Sequence, residues 1–397
     1  MKYVLIVLFF FLAVLPAHAE KIAIAVLDLD AKGEGLSQGV ADALTETVRY
    51  EFAKQDSIDL VAREKMRELA KEKAFQLTGC TDVACAVQIG KALNVQKMVM
   101  GSVTKLGKRY TLILRMVDVE KENVECSDKK EAGGRVDSLD SCVPEIVGCL
   151  SICAQVQRAR EIVLLKQNNA DIHFLLGRKL KRYASYLKND EQKEKYLEAG
   201  QEFVKVIKQK PNFAEAYYEM GEVFIELKDE SLAVGLFREA IKLKPELLDA
   251  HNALGLLLVN QGKFDEAEKE YREVIKLYPN DVEAHYGLGN IFRVQEKYVD
   301  AVKEFREAIR LKPDDAESYG GLGVTLYKQG KYKEAERAHR EALKLKPGLD
   351  VVYKMLALCL DAQGNRTEAR IYWEKALSVE KEPAWIESIS KRLEQPD

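Results

Sequence analysis

The sequence predicts a small α/β domain, with a mixed sheet and helices, followed by an all-α solenoid. The solenoid is predicted by five prolines that recur every 34 residues, a period typical of stacked helix–turn–helix repeats. These prolines are Pro211, Pro245, Pro279, Pro313 and Pro347. The α/β domain is predicted by apolar, β-branched runs upstream, of which residues 21–30 suit a strand buried on both faces.

Length and composition indicate a multidomain globular protein. A chain of 397 residues is too long for one ordinary domain, and 47% hydrophobic with 31% charged residues is typical of soluble proteins. The formal net charge of -3 provides no strongly basic surface. A nucleic-acid partner is therefore not expected.

Residues 1–19 predict a signal peptide. Lys2 gives a positive start, an apolar run follows over residues 4–15, and Ala17 and Ala19 form a small-x-small cleavage site. The alternative is an uncleaved anchor, but the run is shorter than the ~20 residues of a membrane span. We expect cleavage after Ala19 and a mature chain that is periplasmic or secreted, without an integral membrane span.

Residues 20–150 predict the α/β domain. After the first strand, Val40, Leu44, Val48 and Phe52 recur at the spacing of one helix face. The other predicted elements are a strand at 58–61, a helix at 63–73, a helix after Thr81, strands at 95–105 and 109–118, and a shorter strand around 124–127.

The cysteines are interpreted for an oxidising compartment, because export is expected. Cys80 and Cys85 fall at the two positions of a predicted helix start that meet in a hydrophobic staple, so a disulfide is predicted, with two packed thiols as the alternative. Cys126 and Cys142 lie near the ends of predicted elements and form a second candidate pair. Cys153 is expected to pack in a core.

Four short segments of this domain carry a resemblance. They are Val-Leu-Asp at 26–28, Leu-Val-Ala-Arg at 60–63, Gly-Lys-Ala-Leu at 90–93 and Gly-Ser-Val at 101–103. They resemble the CsgG/TolB-N-terminal-like fold of bacterial envelope proteins, whose members include curli-secretion lipoproteins and activators of penicillin-binding proteins. The chain departs from both because no lipid-bearing Cys follows the signal. It also lacks the alternating hairpins of about ten residues that a membrane pore requires, so a secretion pore is not expected.

The repeats pair small residues with rings. When positions are counted from residues 214, 248, 282, 316 and 350, position eight is glycine in the first four repeats, position twenty is alanine in all five, and position twenty-four is bulky. The bulky residues are Phe237, Tyr271, Phe305, His339 and Trp373. Antiparallel helices approach closely where a small residue admits the partner's ring. With the terminal prolines, this pattern resembles the tetratricopeptide repeat (TPR) family over residues 170–382.

The resemblance divides the second part of the chain. Residues 151–169 are expected to form a connecting helix, and residues 170–213 an atypical repeat with a longer first helix or hairpin. Five TPR repeats of 34 residues follow over 214–382. A capping helix over residues 383–397 is expected to close the array, because an array end must be apolar inside and polar outside.

No catalytic group is expected. Gly33 and Gly35 follow the first strand, but the third glycine of a dinucleotide loop is missing and no Lys-Ser/Thr pair of a phosphate loop follows. His251 and His285 recur at one repeat position, where core packing is expected, and no HExxH pairing occurs. The sequence therefore predicts a protein that is not an enzyme and has no cofactor or metal.

The TPR resemblance assigns a peptide-binding groove to positions five, nine, twelve and thirteen of the first helices. In this sequence those positions include Tyr218, Glu222, Asn252, Tyr286, Asn290, Arg293, Tyr327 and Lys328. Tyrosine, asparagine and arginine suit an extended peptide because they offer rigid contact area and hydrogen bonds. An acidic row of Glu215, Asp249, Glu283 and Glu317 is interpreted as a complement to the helix dipoles, because each lies in a first turn.

The predicted function is a periplasmic, non-enzymatic scaffold. It would bind a protein or peptide in the concave TPR groove and an envelope component through the N-terminal domain, and so raise the effective concentration of the two partners. One alternative is an activator of a cell-wall synthase, or an accessory factor of envelope secretion or assembly. Another, of a different class, is a small-ligand-binding or enzymatic N-terminal domain.

Overall fold

The computed structural model describes residues 21–33, 36–73, 82–107, 109–133, 136–165, 169–379 and 383–393. The predicted signal peptide, Gly35 and Cys80 lie outside these ranges. The chain divides into two compact units, Met1–Val206 and Ile207–Asp397. Each unit is described by itself.

A mixed sheet forms the centre of the first unit. Its strands are β1 (Ile22–Val26), β2 (Asp30–Lys32), β3 (Ile58–Leu60), β4 (Lys97–Leu106), β5 (Arg109–Asp118) and β6 (Asn123–Gly133). The strand order is β3-β1-β4-β5-β6, and β2 also pairs with β4. The pairs β1/β3, β1/β4 and β2/β4 are parallel, whereas β4/β5 and β5/β6 are antiparallel. The predicted mixed sheet is confirmed.

Helices cover both faces of this sheet. The helices of the unit are α1 (Gln38–Ala53), α2 (Arg63–Lys73), α3 (Val83–Leu93), a 3₁₀ helix (Val136–Cys142), α4 (Val143–Leu165), α5 (Ala170–Ala184) and α6 (Asn189–Gln209). Ile24 and Val99 point towards α1 and α4, whereas Ala25 and Met98 point towards α2 and α3. Because successive strand residues face opposite sides, a sheet covered twice requires the nearly continuous apolar runs seen in the sequence.

Two predicted elements of this unit differ from the structure. The single strand expected at residues 21–30 is wrong, because β1 ends at Val26 and β2 begins only at Asp30. After β1, the Leu27 N–H still donates to the Val99 carbonyl over 2.8 Å. Between β1 and β2 the Leu29 N–H donates to the Thr45 hydroxyl over 3.0 Å in a buried position, so a side chain replaces the strand partner. The domain end expected at residue 150 falls inside α4, which packs on the sheet core as far as Ala154. The separate connecting helix is therefore part of α4.

A disulfide joins α4 to the sheet. Cys126 of β6 bonds to Cys153 of α4, 27 residues further along the chain. The candidate pair Cys126–Cys142 is wrong, because Cys126 bonds to Cys153 instead, and so is the expectation that Cys153 merely packs. Cys153 follows Cys149 by four residues, a spacing that suggests core packing along one helix face. The spacing gives no indication of the bond from this helix to a strand. The pair Cys80–Cys85 stays a prediction, because Cys80 lies outside the described residues.

Gly33 has a structural explanation. Its φ is 108°, and a Cβ added there would lie 2.3 Å from the Lys105 carbonyl oxygen of β4. A positive φ and a close approach of two backbones both require glycine.

One helical stretch of the described chain, Leu139–Val163, is long and apolar enough to cross a membrane. In the fold, 61% of its most apolar window is buried, and Ile146, Leu150 and Ala154 belong to the core that α4 shares with the sheet.

The second unit consists of helical hairpins followed by one more helix. The helices are α7 (Ala214–Glu226), α8 (Glu230–Leu243), α9 (Leu248–Asn260), α10 (Phe264–Leu277), α11 (Val282–Val294), α12 (Tyr298–Leu311), α13 (Ala316–Lys328), α14 (Tyr332–Leu345), α15 (Asp350–Ala362), α16 (Arg366–Val379) and α17 (Pro383–Leu393). The odd-numbered helices α7 to α15 begin at the five residues from which the repeat positions were counted. Consecutive helices pack as TPR-like hairpins, so the predicted solenoid is confirmed.

Glycines clamp the ring at position twenty-four. A Cβ added to Gly289 would lie 2.8 Å from Phe305 in the same repeat, and one added to Gly321 of the next repeat would lie 2.5 Å from the same ring. Phe305 itself is fully buried. The ring therefore fixes the spacing both within a hairpin and between neighbouring hairpins.

The atypical repeat before the array and the helix after its last hairpin differ from the central repeats. The first helix of the atypical repeat is longer, as expected, since α5 has 15 residues against 13 in α7. The larger difference is in the second helix, since α6 has 21 residues against 14 in α8, and Asp190 and Glu191 fit the first turn of a helix that begins at Asn189. At the other end, Ile389 of α17 is fully buried against α15 and α16.

Candidate functional site

The first helices of the central repeats enclose a hollow of about 530 Å³. We call it the first-helix hollow. It is lined by Tyr218, Glu222, Asp249, Asn252, Ala253, Leu256, Tyr271, Val282, Glu283, Tyr286, Asp315 and Glu317. Most of these residues come from α7, α9, α11 and α13, because the same repeat positions return to the same side of the array.

Aromatic rings give the hollow a firm floor. Tyr218 packs on Phe237 and Tyr286 on Phe305, each with ring centroids 5.9 Å apart. Burial raises the pKa of the Tyr218 and Tyr271 phenols, so both remain hydrogen-bond donors at neutral pH. Leu256 lies among them with 58% of its surface exposed. The floor therefore offers apolar surface, and its side chains lose little conformational freedom when a partner binds.

Carboxylates at one repeat position differ in their ion-pair partners, and three of the four line the hollow. Glu317, which lines it, accepts from Lys346 over 2.6 Å. Glu215, which lies outside it, accepts from Lys244 over 2.7 Å. These hydrogen bonds lower the pKa of both carboxyl groups. Asp249 and Glu283 occupy the same repeat position, yet neither has an ion-pair partner in the part of the chain that the structure describes.

A break in the repeat explains the difference. The lysine that precedes the repeat-terminal proline is Lys244, Lys312 or Lys346, but Tyr278 stands at this place in the second repeat. Its hydroxyl donates to the Glu246 carbonyl over 2.8 Å, so Asp249 is left without a lysine. Lys312 lies 3.6 Å from Asp315 and leaves Glu283 uncompensated.

Asn252 links the floor to the acidic rim. Its Nδ2 donates to Asp281 at 3.3 Å and to Glu283 at 3.4 Å. Its buried Oδ1 has no hydrogen-bond partner within the described chain. An N–H group of a bound chain could use this acceptor.

The hollow collects four of the eight predicted groove residues. Tyr218, Glu222, Asn252 and Tyr286 line it. Asn290 and Arg293 instead bond to each other, with Arg293 Nη2 3.3 Å from Asn290 Oδ1. Tyr327 packs on Tyr332, with ring centroids 5.3 Å apart, and Lys328 is exposed on the same helix. Asn290, Arg293, Tyr327 and Lys328 are not among the described residues that line the hollow. Their assignment to a groove stays a prediction.

Sequence reasoning missed the residues that give the hollow its character. Asp249 and Glu283 were interpreted as dipole complements, and Leu256 was not singled out. The available signal was Tyr278, the one residue that interrupts the row of lysines before the prolines. Lysines neutralise the acidic row in some repeats and not in others. This difference between the repeats says more about a binding surface than the presence of the row does.

Position four of the first helices carries hydrogen bonds as well as packing. His251 Nδ1 lies 2.7 Å from Glu270 and its Nε2 lies 2.9 Å from the Pro245 carbonyl. His285 has the same two partners in the next repeat, Glu304 and Pro279. In two of the repeats with tyrosine, Tyr217 and Tyr353 donate to the carbonyls of Pro211 and Pro347. In these four repeats the ring ties the first helix to the turn before it.

A second hollow, of about 580 Å³, lies in the first unit. Its charges are largely paired. Lys97 lies 2.5 Å from Asp118 and 2.9 Å from Glu125, and Lys121 lies 2.5 Å from Glu161. Burial alone would raise the pKa of Asp118, but hydrogen bonds from Lys97 and the Lys121 backbone lower it. This arrangement holds the ends of β4, β5 and β6 together.

No group of three or more His, Cys, Asp or Glu side chains that could hold a metal ion occurs among the described residues. Asp118 and Glu125 converge on a lysine, which occupies the place that a cation would take. The side chains of this second hollow therefore suit a structural role.

Comparisons with known proteins agree with the hairpin packing. Family models of the tetratricopeptide repeat match residues 214–247, 252–316 and 316–349, so TPR repeats are present over residues 214–349. No curated protein matches the chain significantly. The resemblance of residues 20–150 to the CsgG/TolB-N-terminal-like fold stays a prediction.

Solved structures show the same repeat fold. The chain is similar to one chain of the APC/C Cut9–Hcn1 hetero-tetramer, at 17% identity and a TM-score of 0.51, with 64% of this chain and 48% of that one covered. It is similar to Pseudomonas aeruginosa PilF at 18% identity and a TM-score of 0.48, covering 56% of this chain and 96% of that one. It is also similar to YrrB, a TPR protein with an unusual peptide-binding site, at 18% identity and a TM-score of 0.40, covering 48% of this chain and 97% of YrrB. Of these three likenesses, the first has a TM-score above 0.5, and at 17% identity it shows the fold alone.

The TPR repeats support a scaffold role in protein–protein interaction. Their stacked first helices present one long surface to a protein or peptide partner.

Proposed function

We propose that the protein is an exported, non-enzymatic scaffold that binds a protein or peptide partner through the first-helix hollow. The hollow carries this proposal, because it combines exposed apolar surface with fixed rings and an unused hydrogen-bond acceptor. Leu256 is 58% exposed at its floor, and Tyr286 is held by Phe305. An exposed apolar patch with a polar rim is typical of an interaction site.

The proposal also assigns a place and a second surface. Residues 1–19 would act as a signal peptide that is cleaved after Ala19, which would bring the mature chain to the periplasm. The N-terminal sheet domain, with its resemblance to the CsgG/TolB-N-terminal-like fold, would contact a component of the cell envelope. Two surfaces on one chain raise the effective concentration of the two partners.

Capture from detergent-solubilised envelope tests the proposal. The full-length chain is compared with Leu256→Ser, which removes apolar area from the hollow, and with Val299→Ser, a matched control at a residue 77% exposed and outside it. We expect one or more envelope proteins to be captured by the wild type and by Val299→Ser, and to be lost with Leu256→Ser. Equal capture by all three would contradict binding in the hollow. N-terminal sequencing of the exported protein tests cleavage after Ala19.

A further inference from the structure

The unpaired carboxylates lie where the apolar floor is exposed. Asp249 and Glu283 both line the hollow, together with Leu256, Tyr218 and Tyr286. Both carboxylates are exposed, and both stand in repeats where the compensating lysine is missing or engaged elsewhere. No lysine or arginine lines the hollow among the residues that the structure describes. Its potential is therefore negative, in a chain whose net charge is only -3.

Cationic side chains match this surface in two ways. Lysine and arginine have apolar stems that can lie on Leu256 and on the tyrosine rings while their charged ends reach a carboxylate. A cation over a tyrosine face gains a further attraction from the ring. A carboxylate-bearing segment would instead meet Asp249 and Glu283 without a compensating cation, which disfavours it.

An extended backbone fits the remaining groups better than a compact ligand does. The lining residues come from successive repeats, so the hollow follows the direction of stacking. Asn252 also lines the hollow, and its buried Oδ1 is an acceptor without a partner in the described chain. A strand-like peptide has free N–H groups that could donate to it.

We infer that the first-helix hollow binds an extended peptide segment that carries lysine or arginine, with the cationic ends at Asp249 and Glu283 and the stems on Leu256. This inference rests on the proposed function and names the chemical class of its partner. The partner would be an unstructured basic segment of another protein.

The test uses the full-length chain and a labelled octapeptide in which lysine and alanine alternate, with fluorescence anisotropy as the readout. Alternation places all lysines on one side of an extended chain. A counterpart with glutamate in place of lysine controls for peptide length. We expect the lysine peptide to bind, at least tenfold more tightly than the glutamate peptide. Binding should weaken as salt rises, because exposed charges are screened.

Variants at one repeat position separate the hollow from general surface charge. Glu283→Gln removes an unpaired carboxylate, and Glu215→Gln removes the equivalent ion-paired carboxylate outside the hollow. We expect Glu283→Gln to weaken binding several-fold, and Asp249→Asn with Glu283→Gln at least tenfold. Glu215→Gln should stay within twofold of wild type. Equal losses for Glu215→Gln and Glu283→Gln would overturn the inference.

Three further outcomes are informative, and the first and the last of them distinguish the inference from the proposed function. If the lysine peptide fails to bind while envelope capture still depends on Leu256, the hollow is a binding site but its partner is not cationic. If spermidine displaces the lysine peptide at equal charge concentration, the hollow recognises charge alone, and the peptide assignment is wrong. If the lysine peptide binds with the expected variant pattern but Leu256→Ser leaves envelope capture unchanged, the scaffold proposal fails instead.

Discussion

The two units are stabilised by different kinds of contact. In the array, the main contacts join residues at fixed sequence offsets, such as Gly289 with Phe305 and His251 with Glu270. In the sheet domain, the decisive contacts join residues with no regular spacing, such as Lys97 with Asp118 and Glu125. A substitution in the array should therefore act on one or two hairpins, whereas one in the sheet domain should release several strands together.

Lys97→Met should have the largest effect, in the sheet domain. The side chains of Lys97, Asp118 and Glu125 are at most 10% exposed. Removing the lysine therefore leaves the buried Glu125 without its ion-pair partner, and leaves the buried Asp118 with only the exposed Lys121 at 3.7 Å. We expect a loss of ~3–5 kcal/mol in the free energy of unfolding. Urea dependence of hydrogen exchange in β4 and β5 measures this locally.

Lys121→Met is the matched control for that variant. Lys121 also contacts Asp118, at 3.7 Å, but its side chain is 45% exposed. A solvated ion pair of this kind contributes at most ~1 kcal/mol. Similar losses for the two variants would mean that burial of the Lys97 cluster does not stabilise the sheet.

His339→Phe should have the next largest effect, and only in the array. His339 is fully buried at position twenty-four, and neither ring nitrogen has a hydrogen-bond partner within the described residues. Burial lowers the pKa of His339 to about 4. The unfolded chain takes up a proton near pH 6.5 but the folded chain does not, so stability is complete above pH 6.5 and falls as the pH drops towards 4.

The pH dependence makes this prediction specific. Phe237 and Phe305 fill the same position in other repeats, so phenylalanine should fit. At pH 4.5 we expect His339→Phe to exceed wild type by roughly 2–3 kcal/mol in the unfolding of α13 and α14, with a smaller gain at pH 7.5. A stability gain of His339→Phe that does not increase as the pH falls would contradict the assignment of His339 as a buried neutral histidine.

Two Gly→Ala variants should have effects of opposite sign. In Gly289→Ala the new Cβ would meet Phe305 at 2.8 Å, and that ring is held on its other side by Gly321. Overfilling such a slot should cost about 1–3 kcal/mol. In Gly235→Ala the Cβ meets nothing within 4 Å, so helix propensity should stabilise by up to ~1 kcal/mol. Thermal unfolding followed by circular dichroism compares the two variants. Effects of equal sign would contradict the tight packing of Phe305 between the two glycines.

The same contrast explains what the sequence could predict. Periodicity located the start of each first helix and the Gly–ring slots, because repeat contacts occur at constant offsets. Periodicity could not reveal the Cys126–Cys153 bond or the return of the chain at β2, since each depends on where distant elements meet. In the hollow, the resemblance to the TPR family pointed to Tyr218 and Tyr286. It did not show which carboxylates are neutralised, since that depends on lysines a repeat away.

One pairing was present in the sequence as an internal co-occurrence. His251 and His285 have glutamate nineteen residues later, at Glu270 and Glu304, and His173 of the atypical repeat contacts Glu202. The repeat with Tyr217 carries Leu236 at that place instead. Histidine and glutamate therefore occur together or not at all in these repeats, which indicates a contact that packing alone does not explain.

Replacing His251 and Glu270 by the residues found at the same positions of the preceding repeat should have the smallest effect on stability. The change should act mainly on how stability depends on pH. Burial alone would lower the pKa of His251, but Glu270 and the Pro245 carbonyl outweigh it and raise the pKa. The hydrogen bond to Glu304 likewise raises the pKa of His285. Both histidines therefore contribute stability that is complete below pH 6.5 and is lost as the pH rises through their raised values, opposite in sign to His339.

The double variant His251→Tyr/Glu270→Leu installs the pair found as Tyr217 and Leu236. Tyr217 keeps the hydrogen bond to a proline carbonyl without a charge, so we expect stability at pH 8 within ~1 kcal/mol of wild type. Hydrogen exchange of α9 and α10 between pH 6 and pH 8, corrected for intrinsic rates, should show a decline in wild type that is smaller in the variant. An undiminished decline would assign the pH dependence to other groups, because the proline carbonyl bond alone does not titrate.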